Sequence, residues 1–226
     1  MNIASQLAEV QSTLPQGVRI VAVSKLRTVS EIQEAYDAGQ RLFGENRVQE
    51  LLPKYENLPQ DIEWHFIGHL QINKVKLLAP FIAVVHSVDR LRLLEELNRQ
   101  AKKNGRRIRV LLQIHIAQEE HKFGFSFDAI EELLQSNLRE RFPHLQLCGL
   151  MGMATFTDDE EQIRQEFAGL YAFFEKMRKL YFAGDKDFRE VSMGMSDDYP
   201  LAVEESSTLI RIGAKLFNST DSPGKG

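Results

Sequence analysis

Eight short apolar runs recur along the chain, and most are followed by a polar turn and a stretch with helical spacing. The runs lie at 19–24 (RIVAVS), 41–44, 63–68, 82–88, 109–116, 145–151, 188–193 and 208–213. Most are nearly continuous in apolar character, as strands covered on both faces are. Helices are expected between them at 29–39, 46–57, 71–79, 89–104, 126–140, 158–182 and 198–206, with one extra helix over about the first twelve residues. The 89–104 segment carries Leu91, Leu94, Leu97 and Ala101 on one stripe, with Asp89 as its expected N-cap and Gly105 just past its end. The 158–182 segment carries Ile163, Phe167, Leu170, Phe174 and Met177 and starts near Asp158 or Asp159. The 29–39 segment starts near Ser30 and ends at Gly39.

Strand and helix alternating this often have two main solutions, a closed (β/α)8 barrel and an open doubly wound sheet. No Gly-x-Gly-x-x-Gly follows the first run, and eight units favour the closed form. The expectation is a single α/β domain over residues 1–218, a (β/α)8 TIM barrel with an added N-terminal helix, followed by a flexible tail at 219–226. A chain of 226 residues, 43% hydrophobic, is long enough for such a core.

Composition excludes several classes. A net charge of −4 offers no basic surface excess, so nucleic acid is not an expected partner. No run of eighteen apolar residues exists to span a membrane, and the amphipathic start does not read as a signal peptide. The single cysteine, Cys148, lies in an apolar run and reads as a small buried hydrophobe in a reducing cytoplasm.

In a barrel of this kind, chemistry gathers at the C-terminal strand ends. Those ends carry Lys25, the Gly44–Glu45–Asn46 turn, His69, Ser87, His115, Met153, the Ser192–Ser196 turn and Arg211 to Gly213. Lys25 is either a solvated lysine or an amine that forms an imine with an aldehyde. The natural aldehyde cofactor is pyridoxal 5′-phosphate (PLP). It needs a lysine, donors for its phosphate, and a group facing its pyridine nitrogen. The small SMGMS turn, with the hydroxyls of Ser192 and Ser196, is either an ordinary turn or those phosphate donors. Arg211 sits inside the run LIRIG, where it either pairs with a core carboxylate or faces the pyridine nitrogen. Metal binding is not expected: His65 and His69 straddle a strand and a loop, and His115 and His121 flank a solvated acidic turn. No Gly-x-Ser-x-Gly elbow supports a hydrolase built on Ser196. Lys102, Lys103, Arg106 and Arg107 read as a solvated helix end.

The stretches AVSK (22–25), FGENRVQE (43–50), WHFIGHLQINK (64–74), HKFGF (121–125), GLMGM (149–153), SMGMSDDYPLAV (192–203) and STLIRIGAKLF (207–217) fall in order from end to end. Together they make the chain resemble the pyridoxal phosphate homeostasis proteins, the YggS/PROSC family, single-domain relatives of the alanine racemase barrel. The resemblance implies an imine at Lys25 and cofactor contacts at Asn46, Ser192, Met195, Ser196, Arg211 and Gly213. It implies a PLP carrier, buffer or regulator that exchanges the cofactor with apo PLP-dependent enzymes and has no substantial turnover. The alternative is a PLP-dependent amino-acid racemase or decarboxylase. A racemase of this type needs a second base, a tyrosine from a further domain of a partner chain. Of Tyr36, Tyr55, Tyr171, Tyr181 and Tyr199, only Tyr199 lies near a strand end, and without that further domain a monomer is expected. The chain departs from the family pattern at Ser206 and Asn218, both usually glycine, and at His115, usually asparagine.

Overall fold

The eight apolar runs form eight parallel strands, and each pairs with the next until the last closes on the first. The computed structural model describes residues 2–119 and 123–217. The strands are β1 Arg19–Val23, β2 Leu42–Glu45, β3 Glu63–Phe66, β4 Val84–Val88, β5 Ile108–Gln113, β6 Leu145–Met151, β7 Glu190–Ser192 and β8 Leu209–Ile212. Closure is made by β1 on β8, with Ile20 opposite Ile210 and Ala22 opposite Ile212. A closed sheet leaves no edge to pair with another chain.

The two-residue period of each strand divides its side chains between two environments. Along β3, Trp64 and Phe66 face outward into the layer beneath the helices, whereas His65 faces the barrel interior. Inside, Val21, Val84, Leu111, Cys148, Met151 and Leu209 form a separate apolar cluster. Cys148 is buried in this cluster, in keeping with its reading as a hydrophobe, and burial pushes its thiol up to about 12.

The helices are α1 Ile3–Ser12, α2 Val29–Asp37, α3 Val48–Asn57, α4 Val75–Leu78, α5 Leu91–Lys103, α6 Phe127–Gln135, α7 Leu138–Arg141, α8 Glu160–Tyr181, α9 Tyr199–Glu204 and α10 Ala214–Phe217. Several ends differ from expectation for identifiable reasons. Helix α2 is capped by Thr28 rather than started at Ser30, because Thr28 and Glu31 close a reciprocal capping box. Asp89 does not cap α5; its carboxylate is taken by His69 Nδ1 at 2.9 Å and by the Arg90 guanidinium. Asp159 does cap α8, accepting from the Glu161 and Gln162 amides. The 126–140 segment breaks at Asn137, whose φ of +53° ends one helix and opens the next. The 71–79 segment is a 3₁₀ turn, Ile72–Lys74, running into the single turn of α4. The proposed tail, 219–226, and Asn218 lie outside the described residues. Among the described residues no helix is long and apolar enough to cross a membrane.

A register shift between β5 and β6 brings Leu111 opposite Gly149. Gly149 has φ +150°, and a Cβ there would land on the Glu190 carbonyl oxygen. Only glycine lets β6 and β7 approach this closely. Ser206 stands where the resembled family has glycine, and it adopts φ +70°. The serine keeps the glycine conformation, and an L-residue held there is strained by about 1–2 kcal/mol. Ser206→Gly is therefore expected to raise stability by about 1 kcal/mol, read as a higher denaturant midpoint at unchanged m-value.

Candidate functional site

Lys25 follows β1 in the turn from Ser24 to Arg27, closed by the Arg27 amide donating to the Ser24 carbonyl at 3.0 Å. The side chain is exposed and makes no hydrogen bond or ion pair among the described residues. The next residue, Leu26, has φ +61°. A bulky residue in the left-handed region must be held there, and the holding groups are visible. The Leu26 amide donates to Glu50 Oε2 at 2.9 Å. Below it, Lys54 Nζ donates to the Ser24 carbonyl at 2.7 Å and to Glu45 Oε1 at 2.5 Å, and the Ser24 hydroxyl reaches the same oxygen at 2.7 Å. Burial raises the Glu45 carboxyl, and the hydrogen bonds from Lys54 and Ser24 oppose that rise. Sequence reasoning missed Lys54 and Glu50 as members of this site. Their one sequence signal was the i,i+4 spacing of Glu50 and Lys54, which ordinarily marks a solvated helix face.

Asn46 follows β2, beside Lys25 in the barrel order. Its Oδ1 is buried and has no hydrogen-bond partner. Gly68 packs on its backbone, and a Cβ there would come within 2.8 Å of the Asn46 Cα.

On the other side of Lys25, the β7 turn and the β8 end meet. The Gly213 amide donates to Ser196 Oγ at 3.3 Å. The Met195 amide donates to Asp198 Oδ1 at 2.5 Å, and the Met195 side chain is exposed. The Ser196 and Asp197 amides meet no acceptor among the described residues. Gly194 turns the chain at φ +91°, with Ala202 Cβ 2.6 Å from where its own Cβ would stand. Ser207 Oγ fixes this turn by donating to the Met193 carbonyl at 2.8 Å.

Arg211 is buried inside the barrel, and its contacts are neutral. Nη1 donates to Ser192 Oγ at 2.6 Å and Nη2 to the Gly152 carbonyl at 3.0 Å. No carboxylate forms an ion pair with it among the described residues, so the core-carboxylate reading does not hold. Burial lowers it to about 10, opposed by the more distant charge of Asp198. A guanidinium has five N–H donors, and these contacts occupy two.

The Ser192 hydroxyl is expected among the phosphate donors of its turn. It instead points inward, between Arg211 and His86, whose Nδ1 lies at 2.9 Å. His86 Nε2 in turn lies 2.7 Å from His65 Nδ1. Burial, with Arg109 and Arg19 nearby, lowers His65 to about 3. Burial and its neighbours His65 and Arg211 hold His86 well below the usual histidine range. His69 stacks on Phe123 at 4.0 Å between centroids. His115 follows β5 with a buried, unpartnered Nε2, and His121 lies outside the described residues. Among the described residues no three His, Cys, Asp or Glu side chains group to hold a metal.

The family model described as "Alanine racemase, N-terminal domain" matches residues 1–221. The chain is 37% identical to the pyridoxal phosphate homeostasis protein of Aquifex aeolicus, covering 88% of this chain and 86% of that protein. It is 36% identical to the protein of the same name from Escherichia coli, covering 97% of both. PipY of Synechococcus elongatus, a structure with PLP bound, superposes with a TM-score of 0.86 at 37% identity, over 96% of this chain and all of that one. Alanine racemase from E. faecalis shares the fold at 16% identity and TM-score 0.73, and the match covers 97% of this chain and 58% of the racemase.

The two core histidines make stability depend on pH. Both are neutral when folded, while the unfolded chain protonates them near pH 6.5. Their contribution is complete above that value and is lost as the pH falls toward the folded value, about 3 for His65. Between pH 7 and pH 5, unfolding free energy is expected to fall with a limiting slope of about 1.4 kcal/mol per pH unit for each histidine. His65→Asn should remove one histidine's share of that slope, measured by denaturant unfolding across the interval.

Proposed function

From the premise that the chain belongs to the pyridoxal phosphate homeostasis protein family, we propose that it binds PLP covalently through Lys25 and carries, buffers or regulates it without substantial turnover. The observation that supports this best is a buried guanidinium with spare donors and no ion-paired carboxylate among the described residues, in the same barrel mouth as an unpaired amine. The residues fit the cofactor. Lys25 Nζ would hold the cofactor through its aldehyde carbon. Ser196, the free amides of its turn and the Gly213 end would take the phosphate. Arg211 would present an N–H to the pyridine nitrogen, and Asn46, with its unpartnered Oδ1, and Met195 would line the ring.

PLP bound to an amino acid supplies an electron sink for breaking bonds at Cα. This chain's residues weaken that chemistry. Arg211 facing the pyridine nitrogen would offer a hydrogen bond without giving up its proton, which would leave that nitrogen unprotonated. A second base is also missing among the described tyrosines. Tyr199 is buried, with Lys215 Nζ 4.7 Å above its ring. The Tyr36 hydroxyl donates to Asp61, Tyr55 stacks on Phe81, and Tyr171 and Tyr181 belong to α8 outside the barrel. An open mouth that admits water favours release of the cofactor, which suits delivery to apo PLP-dependent enzymes. A reducing cytoplasm suits the free Cys148 thiol.

Addition of PLP is expected to give a yellow absorbance band in the wild type and none in Lys25→Ala. Borohydride should fix the cofactor to the peptide carrying Lys25, and an adduct on another lysine would overturn the assignment. Ser196→Ala should weaken PLP binding by about 1–2 kcal/mol, the scale of a hydrogen bond to a charged group. Solvent deuterium should enter Cα of free L- or D-amino acids no faster with the protein than without it. Incorporation at about 1 s⁻¹ or more, abolished by Lys25→Ala, would restore the racemase or decarboxylase reading.

A further inference from the structure

The interior of the barrel holds a hydrogen-bond chain that the cofactor contacts alone do not require. It runs from Arg211 Nη1 to Ser192 Oγ at 2.6 Å, from Ser192 to His86 Nδ1 at 2.9 Å, and from His86 Nε2 to His65 Nδ1 at 2.7 Å. All four residues are buried, so each bond must be accounted for within the chain. Arg211 can only donate, which makes the Ser192 oxygen an acceptor at that end. Ser192 has one hydrogen, and its only other described partner is His86 Nδ1. If the serine donates there, Nδ1 is bare and His86 carries its hydrogen on Nε2. His65 Nδ1 then accepts, and His65 also carries its hydrogen on Nε2. That arrangement leaves one buried group unpaired, His65 Nε2, which is the atom observed to lack a partner. The reverse direction would strand the Ser192 hydrogen as well.

We propose that His86 and His65 are positioning residues for Arg211, acting through Ser192 as a chain of fixed direction. The serine hydrogen is committed to His86, so its oxygen can only receive the guanidinium. That contact and the Gly152 carbonyl fix two corners of the guanidinium and leave its remaining N–H groups to the cofactor ring. A buried charge held by neutral dipoles turns easily if one dipole turns, and the histidines prevent that. The ring-facing role rests on the cofactor reading above, whereas the direction of the chain does not.

Two measurements test the proposal. In the cofactor-free protein, nitrogen-15 chemical shifts of the histidine rings should show Nδ1 bare and Nε2 protonated in both His86 and His65. A protonated Nδ1 on His86 would overturn the direction. PLP dissociation constants are then compared by fluorescence quenching for the wild type, His86→Asn, His86→Leu, Ser192→Ala and the His86→Leu/Ser192→Ala pair. Asparagine keeps a polar group where Nδ1 stands and should bind within about threefold of wild type, whereas leucine should weaken binding about tenfold. The double variant should bind no worse than Ser192→Ala alone, because both changes cut one chain. Independent, multiplying losses, or wild-type affinity in folded His86→Leu, would overturn the positioning role. If His86→Leu does not fold, Ser192→Ala against His65→Asn carries the same comparison. Failure of wild-type protein to bind PLP would instead overturn the cofactor reading and leave the nitrogen shifts to judge the chain.

Discussion

A positive charge buried without a carboxylate in contact among the described residues is the constraint around which this barrel interior is arranged. Removing a guanidinium from water is costly unless its donors find acceptors. Arg211 finds a serine oxygen and a peptide carbonyl, which relieve the cost without cancelling the charge. The opposite end of the same barrel carries arginines that are partly exposed and ion-paired. There Arg19 meets Glu190 at 2.5 Å and Arg109 meets Glu63 at 2.5 Å. Those charges are paired, while the C-terminal end keeps a charge that still has donors to give. That asymmetry supports a ligand end and a structural end on physical grounds.

The two lysines near the first strand show the same division of labour. Lys54 is buried and spends its charge on Glu45 and the Ser24 carbonyl. Lys25, one residue beyond that carbonyl, has no partner among the described residues. The buried pair and the Glu50 carboxylate hold the turn, including a left-handed leucine, so that the neighbouring amine stays outside the network. The turn gives the nearby carboxylates other donors, which leaves the Lys25 amine unneutralised, as the proposed imine would require.

Much of this was legible in the residues. The eight strands follow from near-continuous apolar runs at regular spacing, since only strands covered on both faces tolerate such runs, and their number favours the closed order that β1 on β8 completes. The strand ends then brought Lys25, Asn46, Ser196, Arg211 and Gly213 to one mouth, as placement at C-terminal ends requires. Helix starts were less legible. Asp89 has the chemistry of a cap, but its carboxylate is taken by its chain neighbour Arg90 and by His69, and His69 reaches it only through packing. The break at Asn137 likewise depends on a backbone angle that asparagine tolerates but does not announce.

Sequence by itself determined the period, the eight strand-and-helix units and the chemical types at the strand ends, because burial pattern and residue chemistry are local properties of a chain. Tertiary structure decided which way each polar group points and what it meets. Ser192 reads equally well as a phosphate donor, and only closure of the barrel, with β8 beside β7 and β4 across the interior, brings its hydroxyl onto Arg211 and His86. His65 and His86 are twenty-one residues apart, and no spacing rule joins them. They meet because adjacent strands of a closed barrel point alternate side chains into one shared interior, where low polarity leaves a buried polar group only its neighbours to bond.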